Sequence, residues 1–219
     1  MNQKYLITGA PRSGTSLMTI LMSYFKGLNI DPTIETPPNL FTTLDAFKTP
    51  QRKDGLIWND FIQPPMSIKD FTDRGVKVIV MLRDGRDVIV SKHNSNNKSD
   101  YWCSPERWIN SVQGLIEIIG VVPSNMLHIV RYENLTIDLE SEMNLLEQFV
   151  GLPLDESYST FYEKHQQQNQ ITHAMNGVRP VSKNSGQWKL PEHSNRIKEV
   201  MNGEFGEQFK YKLEQLGYE

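Results

Sequence analysis

The chain has 219 residues, 38% of them hydrophobic and 22% charged, enough to bury one sizeable core, so the expectation is a single domain over residues 1–219. A net charge of −3 excludes a general nucleic-acid coat and leaves any basic character to be found locally. Cys103 is the only cysteine, which excludes an intrachain disulfide framework and a cysteine-based zinc cluster, and no stretch approaches the apolar length of a membrane span.

The first residues run straight into a strand without a charged and apolar leader, so with the lone cysteine a cytoplasmic setting is expected. Residues 5–8 form the first apolar run and read as a buried parallel strand. The loop GAPRSGTS follows at 9–16, and then a helix over 16–25, with Leu17, Ile20, Leu21 and Tyr24 at helical spacing. Residues 31–65 are proline-rich and weakly periodic, which predicts loops suited to a substrate mouth. A second strand is expected over 76–82. RDGRDVIVS follows at 83–91, with a helix from 87 to 92 and Ser91 two turns into it.

Residues 94–100 read as a polar loop. Ser104-Pro105-Glu106-Arg107 then opens a helix with an N-cap serine, a proline in the first turn and an acid near the positive end. A third strand over 126–130 leads into RYENL, and amphipathic helices are expected over 139–150 and 196–216. Strands alternating with helices predict an α/β fold, a parallel β-sheet flanked by helices in the P-loop NTPase-like manner. Ligands of such sheets sit at the carboxyl ends of the strands, where GAPRSGTS, RDGRD and RYENL all fall.

GAPRSGTS departs from the P-loop pattern at one position, because Thr15 stands where a phosphate-gripping lysine is required. The loop can still cradle an anion. Gly9 and Gly14 allow close backbone approach, Thr15 and Ser16 add hydroxyls, and Arg12 supplies a planar cationic fork. In RDGRDVIVS, Arg83 and Ser91 are candidates to share one phosphate; Asp84 and Asp87 equally well tie Arg83 and Arg86 into a salt-bridged turn.

With PRSGTS near the start, VIVMLRDGRDVIVS in the middle, VRYENL at 130–135 and SGQWK ahead of a final helix ending in LGYE, the chain resembles the sulfotransferase family over essentially its whole length. The resemblance implies transfer of a sulfuryl group from 3'-phosphoadenosine 5'-phosphosulfate (PAPS) to an acceptor hydroxyl or amine, with adenosine 3',5'-bisphosphate (PAP) as product and no metal. It also implies a donor loop of Pro11, Arg12, Ser13, Gly14, Thr15 and Ser16, with Arg12 against the transferring group. Arg83 and Ser91 then take the 3'-phosphate, Tyr132 the adenine, and Lys183 and Ser185 close a final loop over the 3'-phosphate. Glu35 is the first candidate for the base that deprotonates the acceptor, His93 the second and Asp60 the third.

Two departures stand out. Leu17 replaces an adenine-stacking tryptophan, and the second catalytic lysine has no clean counterpart: Trp58-Asn59-Asp60 occupies the expected region, and Lys48 is the nearest basic residue but sits early. The acceptor class (glycan, peptide, lipid or small molecule) and the oligomeric state have no readable pattern; Trp58, Phe61, Tyr101 and Trp102 fit either an aromatic pocket or a core. The other readings are a P-loop kinase-like phosphotransferase, opposed by the missing lysine at position 15, and a nucleotide-binding module without transfer activity.

Overall fold

The computed structural model describes residues 3–33, 44–50, 56–57, 66–92, 101–175, 177–181 and 184–219. Four strands, β1 (Tyr5–Gly9), β2 (Ala46–Pro50), β5 (Lys77–Leu82) and β6 (Leu127–Arg131), form one parallel sheet in the order β2-β1-β5-β6. The register aligns Gly9 with Pro50 and Met81, and Leu82 with Arg131, so all four carboxyl ends share one edge. A small antiparallel pair, β3 (Leu56–Ile57) with β4 (Met66–Ser67), lies apart from it.

Side chains alternate across the sheet as the pleat requires. Leu6, Val78, Val80 and Leu82 face one apolar cluster, and Tyr5, Ile7, Ile79 and Met81 face another. The first cluster is covered by α4 (Pro105–Val121) and by the C-terminal pair α9 (Ser194–Asn202) and α10 (Gly206–Gln215), with Trp108 and Phe209 in contact at 4.5 Å between ring centroids. The second is covered by α1 (Thr15–Met22) and α6 (Leu139–Val150). Burial on both faces explains why the central strands are continuous apolar runs rather than alternating ones.

Shorter helices complete the described chain: α2 (Ile68–Thr72), α3 (Gly85–Ile89), α5 (Tyr132–Ile137), α7 (Phe161–Lys164) and α8 (Gln170–Ala174). Ser104 caps α4 as the sequence predicts, its hydroxyl accepting from the Arg107 amide at 3.1 Å.

Three expectations are corrected. Residues 31–65 are not all loop, because β2 lies within them; its sequence AFKTP hides a strand behind a lysine and a terminal proline. Ser91 does not lie inside a helix, since α3 starts at Gly85 and ends at Ile89. The expected helix over 196–216 is two helices, broken at Gly203, whose backbone is extended. Gly206 lets the chain re-enter: a Cβ there would lie 2.3 Å from the Met201 carbonyl oxygen.

Candidate functional site

β1 ends at Gly9, and the loop after it turns back over the sheet edge. A Cβ on Gly9 would lie 2.3 Å from Ser13 Oγ and 2.8 Å from the Met81 carbonyl oxygen, so only glycine fits. Gly14 has a φ of 100° and would bring a Cβ to 2.6 Å from the Tyr132 ring. It serves as the N-cap of α1 without a side-chain cap, leaving the helix's positive end open to an anion.

The loop, Lys48 of β2, the turn and helix that follow β5, and a later segment around Arg179 and Asn184 line a cavity of about 470 Å³. Six Lys and Arg side chains line it: Arg12, Lys48, Arg83, Lys92, Arg107 and Arg179. Arg12 donates through Nε to Ser91 Oγ at 2.9 Å and through Nη2 to the Lys92 carbonyl oxygen at 3.3 Å. Burial first, and the neighbouring Arg83 second, push its guanidinium down to about 10, so it stays cationic at neutral pH at some cost. An anionic ligand would relieve that cost. Lys48 donates to Ser16 Oγ at 2.9 Å from across the β1–β2 pair.

Arg83 leaves the end of β5 and is held on several sides. Nη1 donates to the Arg12 carbonyl oxygen at 3.0 Å and Nη2 to the Asn184 carbonyl oxygen at 2.5 Å, while the guanidinium lies 4.2 Å from the Tyr132 ring centroid. Its Nε is buried with no hydrogen-bond partner among the described residues. The salt-bridged turn and an arginine on the cavity wall coexist, because Arg86 pairs with Asp84 at 2.8 Å and Arg83, which lines the cavity, approaches Asp87 at 3.7 Å.

Of the residues singled out from the sequence, Pro11, Arg12, Gly14, Thr15, Ser16, Arg83, Ser91 and Tyr132 line this one cavity. Ser13 instead is fully buried, its Oγ packed over Gly9. Ser185 meets Thr136, hydroxyl to hydroxyl, at 2.8 Å. Glu35, His93, Asp60 and Lys183 lie outside the described residues, as do Trp58 and Phe61. Among the described residues no group of three His, Cys, Asp or Glu side chains could hold a metal ion, and no helix is long and apolar enough to cross a membrane.

Lys48 and Asn184 are the contributors that sequence reasoning undervalued. Lys48 sits early in the chain, but the parallel pairing of β2 with β1 carries it to the end of the 9–16 loop, against Ser16. Asn184 contributes a backbone carbonyl, for which no side-chain signal exists.

The family model described as "Sulfotransferase domain" matches residues 2–217. No curated protein sequence matches the chain. Among solved structures, the sulfotransferase domain of the Synechococcus PCC 7002 olefin synthase aligns with a TM-score of 0.65 at 15% identity, covering 100% of this chain and 95% of that one. The sulfotransferase domain from the curacin biosynthetic pathway aligns at 0.60 and 15% identity, covering 100% and 99%. Mouse sulfotransferase SULT7A1, solved with PAP, aligns at 0.57 and 13% identity, covering 95% and 88%.

Proposed function

This chain belongs to the sulfotransferase family, and on that premise we propose that its cation-lined cavity binds PAPS and transfers the sulfuryl group to an acceptor hydroxyl or amine. The observation that carries the reading is the convergence of Arg12, Lys48, Arg83 and Arg179 on one cavity at an uncapped helix start. So many like charges are costly together unless an anion of several negative charges joins them.

The residues suit the donor in parts. The Gly9–Gly14 loop and the first amides of α1 fit the 5'-phosphosulfate. Arg83, whose Nε has no hydrogen-bond partner among the described residues, and Ser91 fit the 3'-phosphate. Tyr132 and Leu17 offer apolar surface for the base.

The donor supplies the sulfuryl group and a phosphate leaving group. In an in-line displacement the acceptor oxygen or nitrogen forms a bond to sulfur as the bond to the 5'-phosphate oxygen breaks, and the acceptor gives up a proton. Arg12 and Lys48 hold positive charge where negative charge grows on the bridging and peripheral oxygens. Thr15 and Ser16 orient the same atoms from the helix start. Glu35 and His93 are the bases proposed for the proton.

The chain acts as one domain in this reading, supported by a family match that runs from residue 2 to 217. A reducing, cytoplasmic setting is supported by the unpaired, buried Cys103.

Calorimetric titration with PAP, AMP and ATP in EDTA tests the donor assignment. PAP is expected to bind at least about tenfold more tightly than AMP, the size of one charge-assisted contact. Equal affinities, or a preference for ATP once Mg²⁺ is restored, would overturn it.

A further inference from the structure

Asp87 lies in the short helix after β5 and is 1% exposed, with its carboxylate fully out of water. A buried carboxylate must be compensated, and here the compensation comes from a distant part of the chain. Oδ2 accepts the Gly186 amide at 2.8 Å and Oδ1 accepts the Trp188 amide at 3.0 Å. Gly186, at a φ of 72°, turns the backbone so that both amides reach the same carboxylate.

The same segment is gripped at two further points. The Arg83 guanidinium takes the Asn184 carbonyl oxygen, and the Arg86 guanidinium lies 4.0 Å from the Trp188 ring centroid, itself fixed by Asp84. Polarity is matched along the segment: a cation holds its carbonyl and an anion holds its amides. Arg83 and Asp87 also face each other at 3.7 Å, so the residue that aims Arg83 is the one that holds the segment closed.

Both Asp87 oxygens are occupied by donors, although the residue borders the cavity. That occupancy removes it from acid–base chemistry and leaves it a structural lever on Arg83. Without the carboxylate, two part-buried amides lose their acceptor, the segment is free to lift, and Arg83 loses its orienting partner.

We propose that Asp87 is a positioning residue that locks the 184–188 segment against the end of β5 and thereby sets selectivity for a donor bearing a 3'-phosphate. The proposal rests on the PAPS reading above and adds to it a residue that touches no ligand.

The test compares wild type with Asp87→Asn, which keeps the side-chain shape. The readouts are calorimetric affinities for PAP and AMP, KM for PAPS, kcat at saturation, and protease cleavage within residues 179–189. Expected for Asp87→Asn are PAP affinity weaker by about 10–100-fold, AMP affinity and kcat within about threefold, and faster cleavage that PAP no longer suppresses. Trp188→Ala, which releases the segment from Arg86 without altering the carboxylate, is expected to show the same selective loss at smaller size, and it carries the test if Asp87→Asn does not fold. Equal losses for PAP and AMP, or a fall in kcat with PAP affinity intact, overturn the proposal. A wild-type chain that does not prefer PAP removes the donor reading and this proposal with it, whereas a wild-type preference retained in both variants removes the positioning role alone.

Discussion

Arg12 is the one non-glycine residue with a positive φ, 68°, among those described. A left-handed backbone costs an L-residue roughly 1–2 kcal/mol, and here a buried cation beside Arg83 adds to the cost. The fold tolerates both at the point where the proposed function puts the sulfuryl group, which is where strain is expected to be spent on function. Stability and activity should therefore respond in opposite directions. Arg12→Gly is expected to raise thermal stability by about 1 kcal/mol while lowering kcat by about a hundredfold or more, with donor KM shifted far less. A thermal melt and steady-state kinetics on the same preparation decide it; a parallel fall in affinity and turnover would make Arg12 a binding residue only.

At the level of elements, the C-terminal tail is clasped to the sheet edge by the turn from β6 into α5. Arg131 donates to the Leu216 carbonyl oxygen at 2.5 Å. Glu133 accepts the Tyr218 hydroxyl at 3.0 Å through one oxygen and the Asp84 amide at 2.8 Å through the other. The last residues thus brace the turn that carries Asp84, Arg86 and Asp87. Burial, and then Glu133, push the Tyr218 hydroxyl well above the ordinary tyrosine range. Because the folded state holds that proton more tightly, the contribution is present in full below about pH 10, the unfolded value, and is lost as pH climbs beyond it. Tyr218→Phe should cost about 1–2 kcal/mol at neutral pH and flatten the alkaline loss of stability, leaving the part due to Tyr5, which burial pushes up to about 12. Chemical denaturation at pH 8 and at pH 10.5 would show whether the gap between variant and wild type narrows.

Elements with a strong local signal were legible in the sequence: the apolar runs of β1, β5 and β6, the Ser104-capped α4, and α6, whose observed bounds Leu139–Val150 are the expected ones. β2 was not, because an edge strand of five residues with a lysine at its centre has neither an apolar run nor clean alternation. The break at Gly203 was missed for a related reason, since the apolar spacing on either side continues in helical phase. In the site, side chains that line the cavity left a motif, as with Arg12 and Arg83. Contacts made by backbone atoms, such as the Asn184 carbonyl and the Gly186 and Trp188 amides, leave none.

Across the whole molecule, two helical layers enclose a sheet whose central strands have no solvent-facing side, and Cys103 is sealed into the α4 layer at 0% exposure. Burial pushes its thiol up to about 11, against the smaller opposing pull of Arg107 and Arg196. The thiolate is the reactive form, so native protein at pH 7.5 should resist iodoacetamide and unfolded protein should label readily. Labelling at the same rate in both states would mean that the layer opens without global unfolding.

The strand order β2-β1-β5-β6 also dictates a sequence of events in time. β1 is made first, yet Tyr5 pairs with Ala46 and Lys77, so the strand that leads into the 9–16 loop gains its first neighbour only with β2 and is flanked on both sides only once β5 has been synthesised. Pairings this distant along the chain are slow to form and leave apolar edges exposed meanwhile. The cavity closes later still, when residues 184–188 dock on Asp87 and Tyr218 reaches Glu133. A nascent chain therefore acquires its sheet well before its nucleotide pocket, and adding donor nucleotide to a refolding reaction would stabilise the finished product without accelerating the step that limits its formation.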